Sequence, residues 1–171
     1  FPLDLIGSAM EPLGRSPAVV SALAHANSPW IGVLAGILVT IVLQSSSVTT
    51  GLAVVLVQQQ VLTAEAAIYL VVGANVGTTV TGLIASTSMG ALAQKTAWTN
   101  TGFKVAGALL FAPTLVLFAQ TVVRLSPSPE MSVAMAHLIF NVVSSVLFLV
   151  LMPLYSGPLE RWARAQERQE R

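Results

Sequence analysis

The chain has no cysteine, few aromatic residues (6%) and few charges: Asp, Glu, Lys and Arg make up 9%, against about 25% in soluble domains. Without cysteine, disulfides and thiol chemistry are excluded, and any compartment is compatible. A net charge of +1 leaves no electrostatic footprint for nucleic acid, so no such partner is expected. No P-loop, no G-x-S-x-G elbow and no His/Cys/carboxylate group at metal-ligand spacing is present, which argues against ATP-driven chemistry, a serine hydrolase and a His/Cys/carboxylate metal centre. An enzyme is not expected, nor is a cofactor.

What charge there is punctuates the sequence. Residues 16 to 64, 66 to 94, 105 to 123 and 131 to 159 contain no Asp, Glu, Lys or Arg. About 20 apolar residues cross a hydrocarbon core of roughly 30 Å. With 54% hydrophobic residues and a mean hydropathy of +0.78, the chain reads as an all-α polytopic integral membrane protein. Residues 1 to 155 form one membrane domain, and residues 156 to 171 form a charged tail.

Along the chain, Phe1-Pro2-Leu3-Asp4-Leu5-Ile6 reads as the end of a helix that starts upstream, so a fragment or processed product is expected. No basic segment precedes a cleavage motif, and no signal peptide is expected. Residues 1 to 13 suggest a helical remnant, and Ser16 to Asn27 a surface helix carrying a structural His25. Trp30 then marks an interface.

From Ile31 to Val57 two readings compete. One is a single tilted helix; the other is two half-helices, Ile31 to Leu43 and Thr49 to Gln58, meeting at a polar tip as a re-entrant hairpin. Gln58-Gln59-Gln60 is a polar break, and Thr63-Ala64-Glu65 resembles a helix start. The segment Gly73 to Gly82, with three Gly, three Thr and one Asn, makes poor helix interior and predicts a broken transmembrane helix. Lys104 to Val123 and Met131 to Leu151 complete the crossings, the last ended by Pro153. Lys95 and Lys104, counted as loop residues, share a side with the four Arg of the tail, so the positive-inside tendency puts the tail in the cytoplasm.

Two polar clusters stand in these apolar surroundings. Gln44-Ser45-Ser46-Ser47, with Thr49 and Thr50, packs five hydroxyls into six residues; Asn75, Thr78, Thr79 and Thr81 form the second. Interrupted apolar segments of this kind point to the site of a secondary transporter, because half-helix ends offer free N–H groups to anions and free C=O groups to cations. The competing explanation is helix packing: Ser and Thr bond neighbouring carbonyls, and Gly32-Val33-Leu34-Ala35-Gly36 is a small-xxx-small motif. Gln44 and Asn75, costly in lipid, favour a site. His137, Asn141, Ser144 and Ser145 form a polar stripe directed into the bundle, read as structural.

At Gln44-Ser45-Ser46-Ser47-Val48-Thr49-Thr50 and Gly73-Ala74-Asn75-Val76-Gly77-Thr78-Thr79-Val80-Thr81 the sequence closely resembles the type II Na+/phosphate cotransporter family and its bacterial relatives. Phe103-Lys104-Val105-Ala106-Gly107 and Ala136-His137-Leu138-Ile139-Phe140-Asn141-Val142 extend the likeness, which covers residues 3 to 155. The resemblance implies a Na+-coupled phosphate symporter of the cell (inner) membrane, built from two inverted repeats that each carry Q-S-S-S. It implies phosphate binding by Ser45, Ser46, Ser47, Thr49, Asn75, Thr78 and Thr79, and sodium binding by Gln44, Ser47, Thr50 and Asn75. Only one copy of each motif is present. The second repeat is therefore expected upstream in the full-length chain, on another chain, or in an antiparallel copy; the biased tail charges disfavour the last. No buried Lys or Arg is expected to neutralise phosphate, so co-bound Na+ is expected to supply all the positive charge.

Overall fold

Pro29 has a φ already set for a helix and no N–H to leave unpaired, and the first helix, α1 (Pro29–Leu43), starts on it. The computed structural model describes residues 28 to 169; the expected remnant at 1 to 13 and surface helix at 16 to 27, with His25, lie outside the described residues. Gln44 closes α1 in the left-handed region at φ 56°, its N–H bonded to the Thr40 carbonyl. Ser45 then starts α2 (Ser46–Gln58), its hydroxyl accepting the Val48 N–H at 3.3 Å. At 1.5 Å per residue the two helices reach about 22 and about 20 Å, too short to cross a core of roughly 30 Å.

Their directions follow from their contacts with α3 (Ala64–Ser86). Gly73 of α3 lies against the Val33 carbonyl and Gly77 against Ile37, so α1 and α3 run parallel. A short turn through Gln60, at φ 58°, joins α2 to α3, and Leu52, Ala53 and Leu56 share an apolar cluster with Ala66, Ala67 and Leu70. α2 and α3 are thus antiparallel neighbours, and α1 with α2 forms a hairpin. Of the two readings of residues 31 to 57, the structure takes the hairpin.

The expected break in the next helix is absent: α3 is continuous over 23 residues. Its glycines are packing surfaces. A Cβ added at Gly36 would overlap the Leu70 carbonyl, one at Gly73 the Val33 carbonyl, and one at Gly77 would sit 2.6 Å from the Ile37 oxygen. Gly32 and Gly36 of α1 therefore face a second small-xxx-small pair, Gly73 and Gly77, in backbone-to-backbone contact. The threonines satisfy themselves inside the helix: Thr78 donates to the Ala74 carbonyl (2.9 Å), Thr79 to Val76 (2.8 Å) and Thr81 to Thr78 (2.8 Å). Low helix propensity is overridden by this packing. Buried on nearly every side from Ala64 to Ala74, α3 is the central helix.

After a turn at residues 87 to 90 come α4 (Ala91–Phe111), one 3-10 turn (Ala112–Thr114) at Pro113, and α5 (Leu115–Leu125). α6 (Pro129–Gln169) follows the turn at 126 to 128. The expected stop at Pro153 is not made. A proline's φ is helical and its cost is one lost N–H bond plus crowding, which this helix absorbs at Pro153 and again at Pro158. Among the described residues, three stretches are long and apolar enough to cross a membrane: Ala64–Ser86, Leu92–Leu125 and Pro129–Leu151. The second begins well before the expected start at Lys104. Ile68, Tyr69 and Val72 of α3, Leu115, Ala119 and Val122 of α5, and Ala136 and Phe140 of α6 make a second apolar cluster. Exposed Leu34, Leu38 and Val42 on α1 suit hydrocarbon. The fold is that of an all-α membrane protein.

Candidate functional site

The hairpin tip is held by hydroxyls. Thr49 Oγ1 donates to the Ser45 carbonyl (3.0 Å) and so accepts from Thr40 Oγ1 (2.9 Å), both side chains fully buried. Thr40 continues the Gly32, Gly36 stripe by one more step of four, and it touches α3 at Gly77. Thr40 therefore stands near the middle of the central helix, and the tip at Gln44 lies one turn, about 6 Å, further toward its C-terminal end. Thr50 Oγ1 donates to the Ser46 carbonyl at 2.8 Å and lies 2.9 Å from His137 Nδ1 on α6. One hydroxyl proton serves one bond; with it on Ser46, Nδ1 of His137 is the donor to Thr50. Ser45 and Ser46 are half-buried, whereas Gln44 and Ser47 are exposed at the tip.

Replacing Thr40 by valine keeps its shape and removes one interhelical bond. The expected loss is about 0.6 kcal/mol and at most about 1.7 kcal/mol, read as a lower unfolding midpoint in detergent, with the helix content unchanged.

Asn75 faces elsewhere. Gly73 and Gly77 turn toward α1, and Asn75 lies on the α4 side, where its Oδ1 accepts from Lys104 Nζ at 2.8 Å. Its Nδ2, buried with the residue 3% exposed, has no partner. Beside it lies a cavity of about 210 Å³ between α3, α4 and α6, whose polar lining includes Asn75, Lys104, Asn141, Ser144 and Ser145, with Phe140 and Phe148 among its walls. Asn141 Nδ2 donates to the His137 carbonyl at 2.8 Å; of the α6 stripe, His137, Asn141 and Ser144 are half-buried, whereas Ser145 is exposed. The stripe also lines the cavity. Among the described residues no group of His, Cys, Asp and Glu is placed to hold a metal ion.

The structure thus brings the expected residues together in two places. Ser45, Ser46, Ser47, Thr49, Thr50 and Gln44 gather at the hairpin tip, tied to α6 through His137. Asn75 belongs to the cavity on the far side of α3, while Thr78 and Thr79 spend their hydroxyl protons on their own helix. The expectation that no cation is buried is overturned: Lys95 is 7% exposed and Lys104 is half-buried. Lys104 lies 14 residues from Gly90, about 21 Å along α4, so it is a bundle residue and not a loop charge. No local pattern in the sequence marks it, since its partner Asn75 lies on the preceding helix.

A hydroxyl-tipped hairpin packed into a bundle of membrane-length helices defines an all-α integral membrane protein with polar groups at mid-depth. The Na+/Pi-cotransporter family matches residues 3–120, and the chain belongs to that family, which is one of transporters. It is 34% identical over 145 residues to the uncharacterized protein YqeW of Bacillus subtilis (strain 168), covering 84% of this chain and 47% of that one. It is 38% identical over 84 residues to human sodium-dependent phosphate transport protein 2B, covering 48% and 12%. It is 27% identical over 169 residues to Escherichia coli (strain K12) YjbB, to which inorganic phosphate export is provisionally ascribed, covering 98% and 30%. The matched stretch is less than half the length of each relative. No solved structure matches the chain.

Proposed function

We propose that the chain supplies one repeat of the substrate site of a Na+-coupled inorganic phosphate symporter, a secondary active transporter of the cell (inner) membrane. The observation that carries this reading is the hairpin tip. There, three adjacent serines and the N-terminal end of α2 stand about one turn past the middle of a membrane-length helix. N–H groups and a positive dipole end suit an anion, and hydroxyl oxygens suit Na+. Ser45, Ser46, Ser47 and Thr49 would contact phosphate, and Gln44, Ser47 and Thr50 would contact Na+; Asn75, whose Oδ1 is taken by Lys104 on the far side of α3, is not placed to join them. The opposite wall comes from a second repeat, and lipid surrounds both. Support comes from the family and from the phosphate transport named for the human and Escherichia coli relatives. Lys95, by the α3–α4 turn, and the Arg-rich tail fall on the same side, which is the cytoplasm under the positive-inside tendency.

The test is phosphate uptake by the complete protein in proteoliposomes. Uptake is expected to collapse when the Na+ gradient is removed; indifference to Na+ would falsify the reading. Ser46→Ala and Ser47→Ala are each expected to lower uptake about tenfold, the loss of about 1.4 kcal/mol from a bond to a charged ligand, with unchanged yield of folded protein. Normal uptake in both would leave these serines only a packing role.

A further inference from the structure

The positive charge in the cavity belongs to this chain and not to a co-transported ion. Lys104 Nζ uses one of its N–H groups on Asn75 Oδ1, and two remain for the cavity that it lines. Among the described residues no carboxylate pairs with it. An ammonium held deep in a helical bundle without an acid is expensive unless something anionic or wet compensates it. A second observation points the same way: Asn75 Nδ2 is a buried donor with no acceptor, on the residue that fixes Lys104. Lys104 and Asn75 line one space, and Asn100, Asn141, Ser144 and Ser145 border it. The volume of about 210 Å³ is many times the ~10–15 Å³ needed by one water. A cation is disfavoured there by Lys104. A halide would use few of the donors placed on α4 and α6, whereas a tetrahedral oxyanion meets them on several oxygens.

From this geometry we infer that the cavity between α3, α4 and α6 is an oxyanion site in which Lys104, oriented by Asn75 Oδ1, is the resident counter-charge and Ser144 is a neutral donor. This deepens the transport reading and rests on it only for the expectation that the oxyanion is free inorganic phosphate. Asn75 acts on the site through Lys104, which its Oδ1 orients.

Lys95 and Lys104 are the only lysines in the chain, so reductive methylation followed by peptide mapping reads each separately. In the complete protein, purified in detergent with saturating Na+ and no added lipid, inorganic phosphate is expected to slow methylation of Lys104 at least fivefold and to leave Lys95 unchanged. Lys104→Met is expected to raise the Kd for phosphate at least tenfold, with the unliganded melting temperature retained, and Lys104→Arg to keep it within about threefold. If Lys104→Met does not fold, the protection measurement on the unaltered protein decides. No protection, equal protection of both lysines, or protection by phosphatidylglycerol but not by phosphate would overturn the inference. Na+-dependent phosphate uptake with unprotected Lys104 would leave the transport reading standing. Protection by sulfate but not phosphate would keep the site and remove phosphate as its ion.

Discussion

Gly73→Ala is expected to unseat the hairpin from α3. The added methyl would overlap the carbonyl of Val33, which is backbone and cannot rotate away. The only relief is separation of α1 from α3 along the whole seam, since Gly36 meets Leu70 and Gly77 meets Ile37 in the same manner. Overpacking against side chains costs about 1–3 kcal/mol; against backbone the upper end or more is expected, a large part of the ~5–15 kcal/mol that typically holds a fold together. The readout is the yield of monodisperse protein after detergent extraction, and its melting temperature. Gly82 provides the internal contrast. It lies on the same helix with nothing within 4 Å of an added Cβ, so Gly82→Ala should be neutral or stabilising by up to about 1 kcal/mol. Equal behaviour of the two variants would mean that the seam does not matter.

The second large effect is expected from Asn75→Asp. The change keeps the acceptor that holds Lys104 at 2.8 Å, replaces the unpartnered Nδ2 donor with a charged oxygen, and supplies the lysine with a permanent anion. Anion uptake by the complete protein should fall tenfold or more, about 1.4 kcal/mol, because the positive charge is spent inside the protein and the new carboxylate repels the substrate. The fold should gain from pairing a buried ammonium that has no acid partner, with an unliganded melting temperature higher by about 2–4 °C per kcal/mol. Lost transport with raised stability is the signature; lost transport with lowered stability would instead indicate a disrupted helix. Asn75→Leu is the counterpart, removing the tie to Lys104 with no new charge, and should lose both.

Much of the fold could be read from composition and punctuation, because bilayer thickness imposes the lengths of apolar runs. The Gln-rich break at 58 to 60 and the Thr63 cap appear where the residue types place them. The Gly73 to Gly82 segment was misleading for a physical reason. Helix propensity describes a residue alone on a helix, and the same glycines that weaken a lone helix let two backbones touch. Gly32 and Gly36 were legible as one half of such a contact; the partner half was hidden inside a motif that also looks like a break. The start of the second crossing was misplaced because Lys104 was treated as too polar to lie at depth. One hydrogen bond to Asn75, twenty-nine positions earlier in the chain, makes that depth acceptable, and a pairing at that range has no local pattern. The hairpin tip was legible as a polar cluster, whereas the division of the expected ligands between tip and cavity depends on which way Asn75 turns about α3.

The seam between α1 and α3 also determines which parts of the molecule act as moving pieces. Carbonyl groups nested against glycines cannot rotate past one another without the overlap that a methyl would cause. Hairpin and central helix consequently behave as one rigid body. Where the walls are side chains that can change rotamer, as around Phe140, Phe148 and Lys104, there is slack. A hinge that opens a path to either face of the membrane would thus lie between this body and α4 or α6, with the Thr50 and His137 bond as its latch.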